Sequence, residues 1–156
     1  AGVFKSTDRG NSWTQINNGL DSLETNILTV DPNDSETLYL GTDDDGVYKS
    51  TDGGESWKKL TVSSLSKSFG VGDIIVDPQN SNNIYIGTVD YFRLSESRGV
   101  LGDFGVYKST DGGATWEEFN VGLNHLGVFS LELSEENRIL YAGTRAGGVY
   151  WISLDN

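Results

Sequence analysis

Hydrophobic and polar positions in this chain are grouped into short runs rather than long periods. Leu28-Thr29-Val30-Asp31, Leu38-Tyr39-Leu40-Gly41-Thr42 and Gly46-Val47-Tyr48-Lys49-Ser50 are typical, and Gly, Asp, Asn and Pro stand between them. Runs of that length, bounded by turn formers, predict strands joined by tight turns. No stretch keeps helical spacing over ten or more residues, so an all-β chain is expected.

The runs recur. Gly-Val-aromatic stands at Gly2-Val3-Phe4, Gly46-Val47-Tyr48, Gly105-Val106-Tyr107 and Gly148-Val149-Tyr150, the successive valines being spaced by 44, 59 and 43 positions. Upstream of the last three lie Leu38-Tyr39-Leu40-Gly41-Thr42, Ile84-Tyr85-Ile86-Gly87-Thr88 and Leu140-Tyr141-Ala142-Gly143-Thr144. Before those come Leu28-Thr29-Val30-Asp31-Pro32, Ile74-Ile75-Val76-Asp77-Pro78 and, more loosely, Phe129-Ser130-Leu131-Glu132-Leu133. A fixed period of a few dozen residues marks a repeat architecture. One unit reads as four strands: A (Leu28 to Asp31), B (Thr37 to Thr42), C (Gly46 to Ser50) and D (Trp57 to Thr61). Strand B has apolar side chains on both faces, which suits a sheet covered on both sides, as when four-stranded blades stack around an axis.

Between C and D lies the most regular motif, S-x-D-x-G-x-[ST]-W: Ser6-Thr7-Asp8-Arg9-Gly10-Asn11-Ser12-Trp13, Ser50-Thr51-Asp52-Gly53-Gly54-Glu55-Ser56-Trp57 and Ser109-Thr110-Asp111-Gly112-Gly113-Ala114-Thr115-Trp116. An Asp carboxylate can accept backbone N–H groups two residues on, and Gly supplies the positive φ of the turn. Trp then opens strand D with a large apolar surface to bury. Ser6, Asp8, Gly10, Trp13, Ser50, Asp52, Gly54, Trp57, Ser109, Asp111, Gly113 and Trp116 therefore read as scaffold, with the indoles in the core, rather than as a ring of catalytic or metal-binding carboxylates.

On these motifs the chain resembles the BNR or Asp-box β-propellers, which include sialidases, xyloglucan-cleaving glycoside hydrolases, sortilin-type receptors and photosystem II assembly factors. The combination of Asp-Pro, [LI]-Tyr-x-Gly-Thr and Gly-Val-Tyr-Lys-Ser-Thr-Asp-Gly-Gly is most similar to the xyloglucanase-like and photosystem-factor branch. The resemblance implies about three propeller blades: strands C and D of a first (1–26), a second (27–72), a third (73–127) and strands A to C of a last (128–156). Thirteen strands are too few to close a propeller of four to eight blades. Completion by the remainder of a longer propeller, or by a homo-oligomer, is the expectation.

One unit breaks the repeat. From the Gly of strand B to the Val of strand C takes 6 residues at Gly41–Val47 and at Gly143–Val149, but 19 at Gly87–Val106. The insertion, 89–104, falls on the B–C loop, which the resemblance places on the ligand-binding face, opposite the Asp boxes. Insertions confined to one face often mark a binding surface, and long loops without structure of their own are usually functional or disordered. Tyr91, Phe92, Arg93 and Arg98 are residue types that stack on sugars or anchor peptides. Asp43, Asp44 and Asp45 on the second-blade B–C loop and Arg145 on the last-blade loop join them as candidate ligand-binding residues. A loop that merely covers an apolar edge is the alternative.

No catalytic residue can be assigned. Glycosidases need two carboxyl groups about 5–9.5 Å apart, and nothing pairs Asp43, Asp44, Asp45, Asp90, Glu96 or Asp103. The calcium-loop spacing is absent from Asp43-Asp44-Asp45. His125 is the only histidine and cysteine is missing, so no metal site and no cofactor are expected. A G-x-S-x-G nucleophile elbow is missing as well. The absence of cysteine leaves the compartment open, with an extracellular or periplasmic setting expected. A net charge of −12 argues against nucleic acid or an anionic membrane as partner. These features point to a binding or scaffold module for a glycan or a protein segment. A piece of a carbohydrate-active enzyme is the alternative, and a purely architectural propeller segment a third.

Overall fold

A computed structural model describes residues 1–65, 69–90, 103–145 and 147–155. They form four antiparallel sheets. β1 (Phe4–Lys5) pairs with β2 (Thr14–Gln15). β3 (Thr25–Asp31), β4 (Asp34–Thr42), β5 (Val47–Ser50) and β6 (Lys58–Lys59) make the second sheet, in that order. β7 (Gly70–Val76), β8 (Ile84–Val89), β9 (Val106–Ser109) and β10 (Glu117–Glu118) make the third. β11 (Val128–Ser134), β12 (Ile139–Thr144) and β13 (Gly148–Ser153) make the last. Each sheet is a meander in the A-B-C-D order read from the repeats, so the chain is all-β and its sheets are propeller blades. Strands A and B are longer than their apolar runs, and D is cut to two residues because Trp57 and Trp116 precede the ladder rather than pair in it.

The register repeats with the sequence. Gly41 faces Val47 and Leu40 faces Tyr48 in the second sheet; Gly87 faces Val106 and Ile86 faces Tyr107 in the third. Strand A bulges at the same place each time, between Thr25 and Ile27, Val71 and Asp73, and Val128 and Ser130. The bulge presses Val71 and Val128 onto the preceding sheet, where a Cβ on Gly41 would lie 2.9 Å from Val71 and one on Gly87 2.6 Å from Val128. That close approach explains the Gly of the Tyr-x-Gly-Thr block.

The core lies between sheets. Tyr39 and Val47 of the second sheet pack with Val71, Ile74, Ile84 and Ile86 of the third. Tyr85 and Val106 of the third pack with Val128, Leu131 and Leu140 of the last. Leu40, Tyr48 and Trp57 cover Val3 and Leu20 of the first. Strand B is thus buried on both faces, with Tyr39 and Tyr85 each 1% exposed.

Polar contacts also join neighbouring sheets. Lys5 Nζ donates to the Gly53 carbonyl (3.1 Å) and Lys49 Nζ to the Gly112 carbonyl (3.1 Å), each reaching the Asp-box turn of the next blade. The aspartates of the Val-Asp-Pro block do the same inside: Asp31 accepts from Ser81 Oγ (2.7 Å), and Asp77 accepts both Arg138 guanidinium nitrogens (2.9 and 2.6 Å). Burial alone would raise the Asp77 carboxyl, but Arg138, with Gln79 and Asn83, holds it below its ordinary value.

Candidate functional site

Strand alternation sets two ends on every blade: A–B and C–D turns at one, B–C and D–A loops at the other. The C–D end is uniform. In each Asp box the Ser hydroxyl donates to Asp Oδ1 and accepts the N–H of the Gly two residues past the Asp (Gly10, Gly54 or Gly113), at 2.7–2.9 Å in all three copies. The backbone N–H of Ser12, Ser56 or Thr115, four residues past the Asp rather than two, donates to Oδ1, and the hydroxyl of the same residue donates to Oδ2. Side-chain hydrogen bonds from Ser12, Ser56 and Thr115, aided by the other donors of the turn, lower Asp8, Asp52 and Asp111 to about 2. Both oxygens of all three carboxylates are engaged by donors of their own turns.

The indoles depart from the expectation of a common core role. Trp57 is buried and Trp116 partly so, but Trp13 is 64% exposed. The reason is directional: Trp57 and Trp116 pack on the blade before them, as when Trp57 Nε1 donates to the Ile16 carbonyl (2.9 Å). No blade precedes the first sheet among the described residues.

The opposite end combines a shared frame with variable side chains. Thr42 and Thr88 donate through Oγ1 to the carbonyls of Gly46 and Gly105, and Thr144 to that of Gly148. Gly2, Gly46 and Gly105 donate in turn to the D–A loop carbonyls of Leu23, Phe69 and Leu126. On this frame the second-blade loop holds Asp43, Asp44 and Asp45 in three different environments. Asp45 accepts from the buried Tyr48 hydroxyl and the Lys59 ammonium. Tyr48 is pushed up to about 12, by burial first and by Asp45 second. Asp44 accepts from Ser22 Oγ at 3.0 Å. Asp43 donates its N–H to the Glu24 carbonyl (2.8 Å), and burial, then the charges of Glu24 and Asp44, raise its carboxyl above the ordinary value against a hydrogen bond from Asn26.

Glu24 and Asn26 lie on the D–A loop and the start of strand A, and no repeated motif singles them out. Only the loop-to-loop approach brings them to Asp43. Asn26 also donates to the Val71 carbonyl of the next blade (2.9 Å).

Arg145 is engaged in the fold. Its guanidinium donates to the Asp90 carbonyl (2.8 Å) and lies 5.0 Å from the centre of the Phe129 ring, tying the last blade to the third. Asp103 accepts the Asp90 N–H (2.8 Å) across the base of the insertion. Tyr91, Phe92, Arg93 and Arg98 lie outside the described residues. The exposed ring of His125 rests against Gly147. Among the described residues, no group of three His, Cys, Asp or Glu side chains could hold a metal ion.

Comparisons with known proteins agree with this architecture. A family model described as sortilin, neurotensin receptor 3 (Sortilin-Vps10) matches residues 1–151. Xyloglucanase Xgh74A of Acetivibrio thermocellus is 36% identical over 96 residues, covering 56% of this chain and 11% of that protein. An ancestral GH74 enzyme matches with a TM-score of 0.75 at 26% identity, over 96% of this chain and 20% of its own. The Niastella koreensis GH74 enzyme gives 0.68 at 29%, over 97% and 24%. The GH74 xyloglucanase of Xanthomonas campestris shares the fold, with a TM-score of 0.69 at 16% identity. The chain spans about a tenth of the length of the curated relatives it matches.

Proposed function

This chain belongs to the Sortilin-Vps10 family, and on that premise we propose that its B–C and D–A loop end is part of the glucan-binding face of a xyloglucanase-type propeller. The similarity to proteins named as xyloglucanases and GH74 enzymes supports the ligand class. The observation that carries the reading is Asp43, which the B–C and D–A loops bring against Glu24 and Asp44, so that burial and these two acidic neighbours favour its acid form. In its protonated form such a carboxyl can donate to a sugar hydroxyl or a glycosidic oxygen, where an ionised Asp only accepts. Cleavage would need a second carboxyl about 5–9.5 Å away. In this reading the chain supplies one member of such a pair, and the rest of a longer propeller supplies the other.

Calorimetric titration of a xyloglucan oligosaccharide into the 156-residue chain tests this. Affinity is expected to fall as pH rises through the raised Asp43 value, because the donor is lost. Asp43→Asn keeps a donor and should flatten that profile; Asp43→Ala should weaken binding about tenfold, as expected when a sugar group loses its partner. No binding by the wild type, or an Asp43→Asn profile like the wild type's, would refute the proposal. A second reading, a module that takes a protein segment on the same face without chemistry, draws support from the receptor named by the family model. It predicts no response to the oligosaccharide at any pH.

A further inference from the structure

We propose that Asn26 is the positioning residue of the Asp43 site, its side-chain amide bridging the Asp43 carboxyl and the Val71 carbonyl of the next sheet. The inference deepens the glucan reading and rests on it for the ligand. Its starting point is the strand-A bulge. The ladder skips one residue there in three sheets: Asn26 between Thr25 and Ile27, Gly72 between Val71 and Asp73, and Phe129 between Val128 and Ser130. A bulge breaks the alternation of the strand and re-aims the skipped side chain, a device common beside active sites.

Thr25, Val71 and Val128 pair with Thr42, Thr88 and Thr144, and the residue after each Thr is Asp43, Val89 or Arg145. The register therefore sets a bulge residue beside this residue in all three sheets, and the two are matched in chemistry. Asn26 gives a hydrogen bond to Asp43. The Phe129 ring takes the Arg145 guanidinium at 5.0 Å. In the third sheet the partner is the buried Val89, and the bulge holds Gly72, where a Cβ would lie 2.2 Å from the Val128 carbonyl. A charged residue is met by a bulge side chain, and an apolar one by none. Asn26 is thus the partner of Asp43 by position as well as by contact.

A neutral amide suits both contacts. Asn26 Nδ2 carries two hydrogens; one goes to the Val71 carbonyl (2.9 Å), which leaves the other for the Asp43 carboxyl. Anchorage on the next blade fixes the amide, so that it holds the carboxyl in one orientation instead of following it. The charged groups facing Asp43 are Glu24 from the D–A loop and Asp44 from its own loop, and β7 reaches the pair through the Val71 backbone. Burial and the two acidic neighbours favour the proton on Asp43. Asn26 opposes them, because a donated hydrogen bond favours the carboxylate. A group that must give a proton and recover it needs that counterweight.

Two readouts test the assignment. The first is the NMR titration of the Asp43 carboxyl carbon, its resonance identified by its loss in Asp43→Asn. Asn26→Ala should move that midpoint to higher pH, and Asn26→Gln, which keeps a donor, should return it toward the wild type. Thr29→Val removes the Thr29 Oγ1 bond to the Ile74 carbonyl (2.9 Å), another link from β3 to β7, and should leave the midpoint in place. The second readout is calorimetric titration with the xyloglucan oligosaccharide. At acid pH, with Asp43 protonated in every variant, Asn26→Ala should weaken binding about threefold because the donor is no longer aimed. The pH at which affinity falls should move upward with the NMR midpoint. A purely structural Asn26 would lower affinity and move neither midpoint. An Asp43 midpoint unchanged in folded Asn26→Ala or Asn26→Gln, or moved equally by Thr29→Val, overturns the proposal. A displaced midpoint in a chain that binds no oligosaccharide overturns the glucan reading alone and upholds Asn26 as the residue that holds Asp43.

Discussion

The two ends of each blade are made from the same strands and behave oppositely. At the Asp-box end three turns repeat the same hydrogen bonds, and their carboxylates are held ionised by their own Ser, Thr and backbone donors. At the loop end the backbone frame repeats through Thr42, Thr88 and Thr144, but the side chains on it differ from blade to blade. There Asp43 is pushed toward its neutral form, whereas Asp8, Asp52 and Asp111 are pushed away from theirs. A carboxylate given its donors by adjacent residues is favoured in its charged form, and one crowded by other carboxylates in its neutral form.

Four experiments probe that contrast, from the largest expected effect to the smallest. Arg138→Ala removes the two guanidinium donors to Asp77, whose side chain is fully buried and keeps only Gln79 and Asn83, and should cost about 3 kcal/mol of unfolding free energy in urea titrations. A cost under about 0.5 kcal/mol, the level of ordinary surface substitutions, would mean that the A–B turns do not depend on their inter-blade staples. Arg9→Gly should instead stabilise the chain by about 1 kcal/mol, because the first box adopts the backbone its two sisters reach with Gly. Loss of stability would show that the Arg9 side chain does more for this monomer than its backbone costs.

Acid titration comes next. The box aspartates have folded values near 2, below the unfolded value of about 3.9. Their contribution is therefore complete above pH 4 and lost as pH falls from about 4 toward 2. Asp43 has the opposite sign: its folded value is raised, so its ionisation weakens the fold as pH rises through that value. The midpoint of urea unfolding, followed from about pH 2 to 7, should fall on the acid side in the wild type. That limb should shrink in Asp52→Asn and persist in Asp43→Asn. The smallest effect is on stability at neutral pH. Asp43→Asn should change it by less than about 0.5 kcal/mol or raise it slightly, since it removes a charge facing Glu24 and Asp44. A large loss would move Asp43 into the architectural class.

Strand identity, blade order and the Asp-box turns were legible in the residues, because each depends on neighbours a few positions away: Ser50 and Ser56 about Asp52, Gly53 and Gly54 in the turn, Gly41 opposite Val47. The recurring lysine and Asp-Pro were visible as repeats without their purpose. Their partners, Gly53, Gly112, Ser81 and Arg138, lie a whole blade away. Contacts at that separation are set by how sheets stack, which local pattern does not encode.

The same reason divides the candidate site. Asp43, Asp44 and Asp45 look alike in sequence, yet Tyr48 and Lys59 engage Asp45, Ser22 engages Asp44, and Glu24 crowds Asp43. Arg145, a ligand candidate by loop position, is held by Asp90 of the neighbouring blade and Phe129 of its own. Trp13 carries the same motif as Trp57 and differs from it in exposure, because burial of that indole depends on a sheet supplied from outside its own unit. The sequence by itself determined what one blade is. The tertiary structure decided what each blade's side chains face, since apolar burial and charge environment belong to the surface between blades.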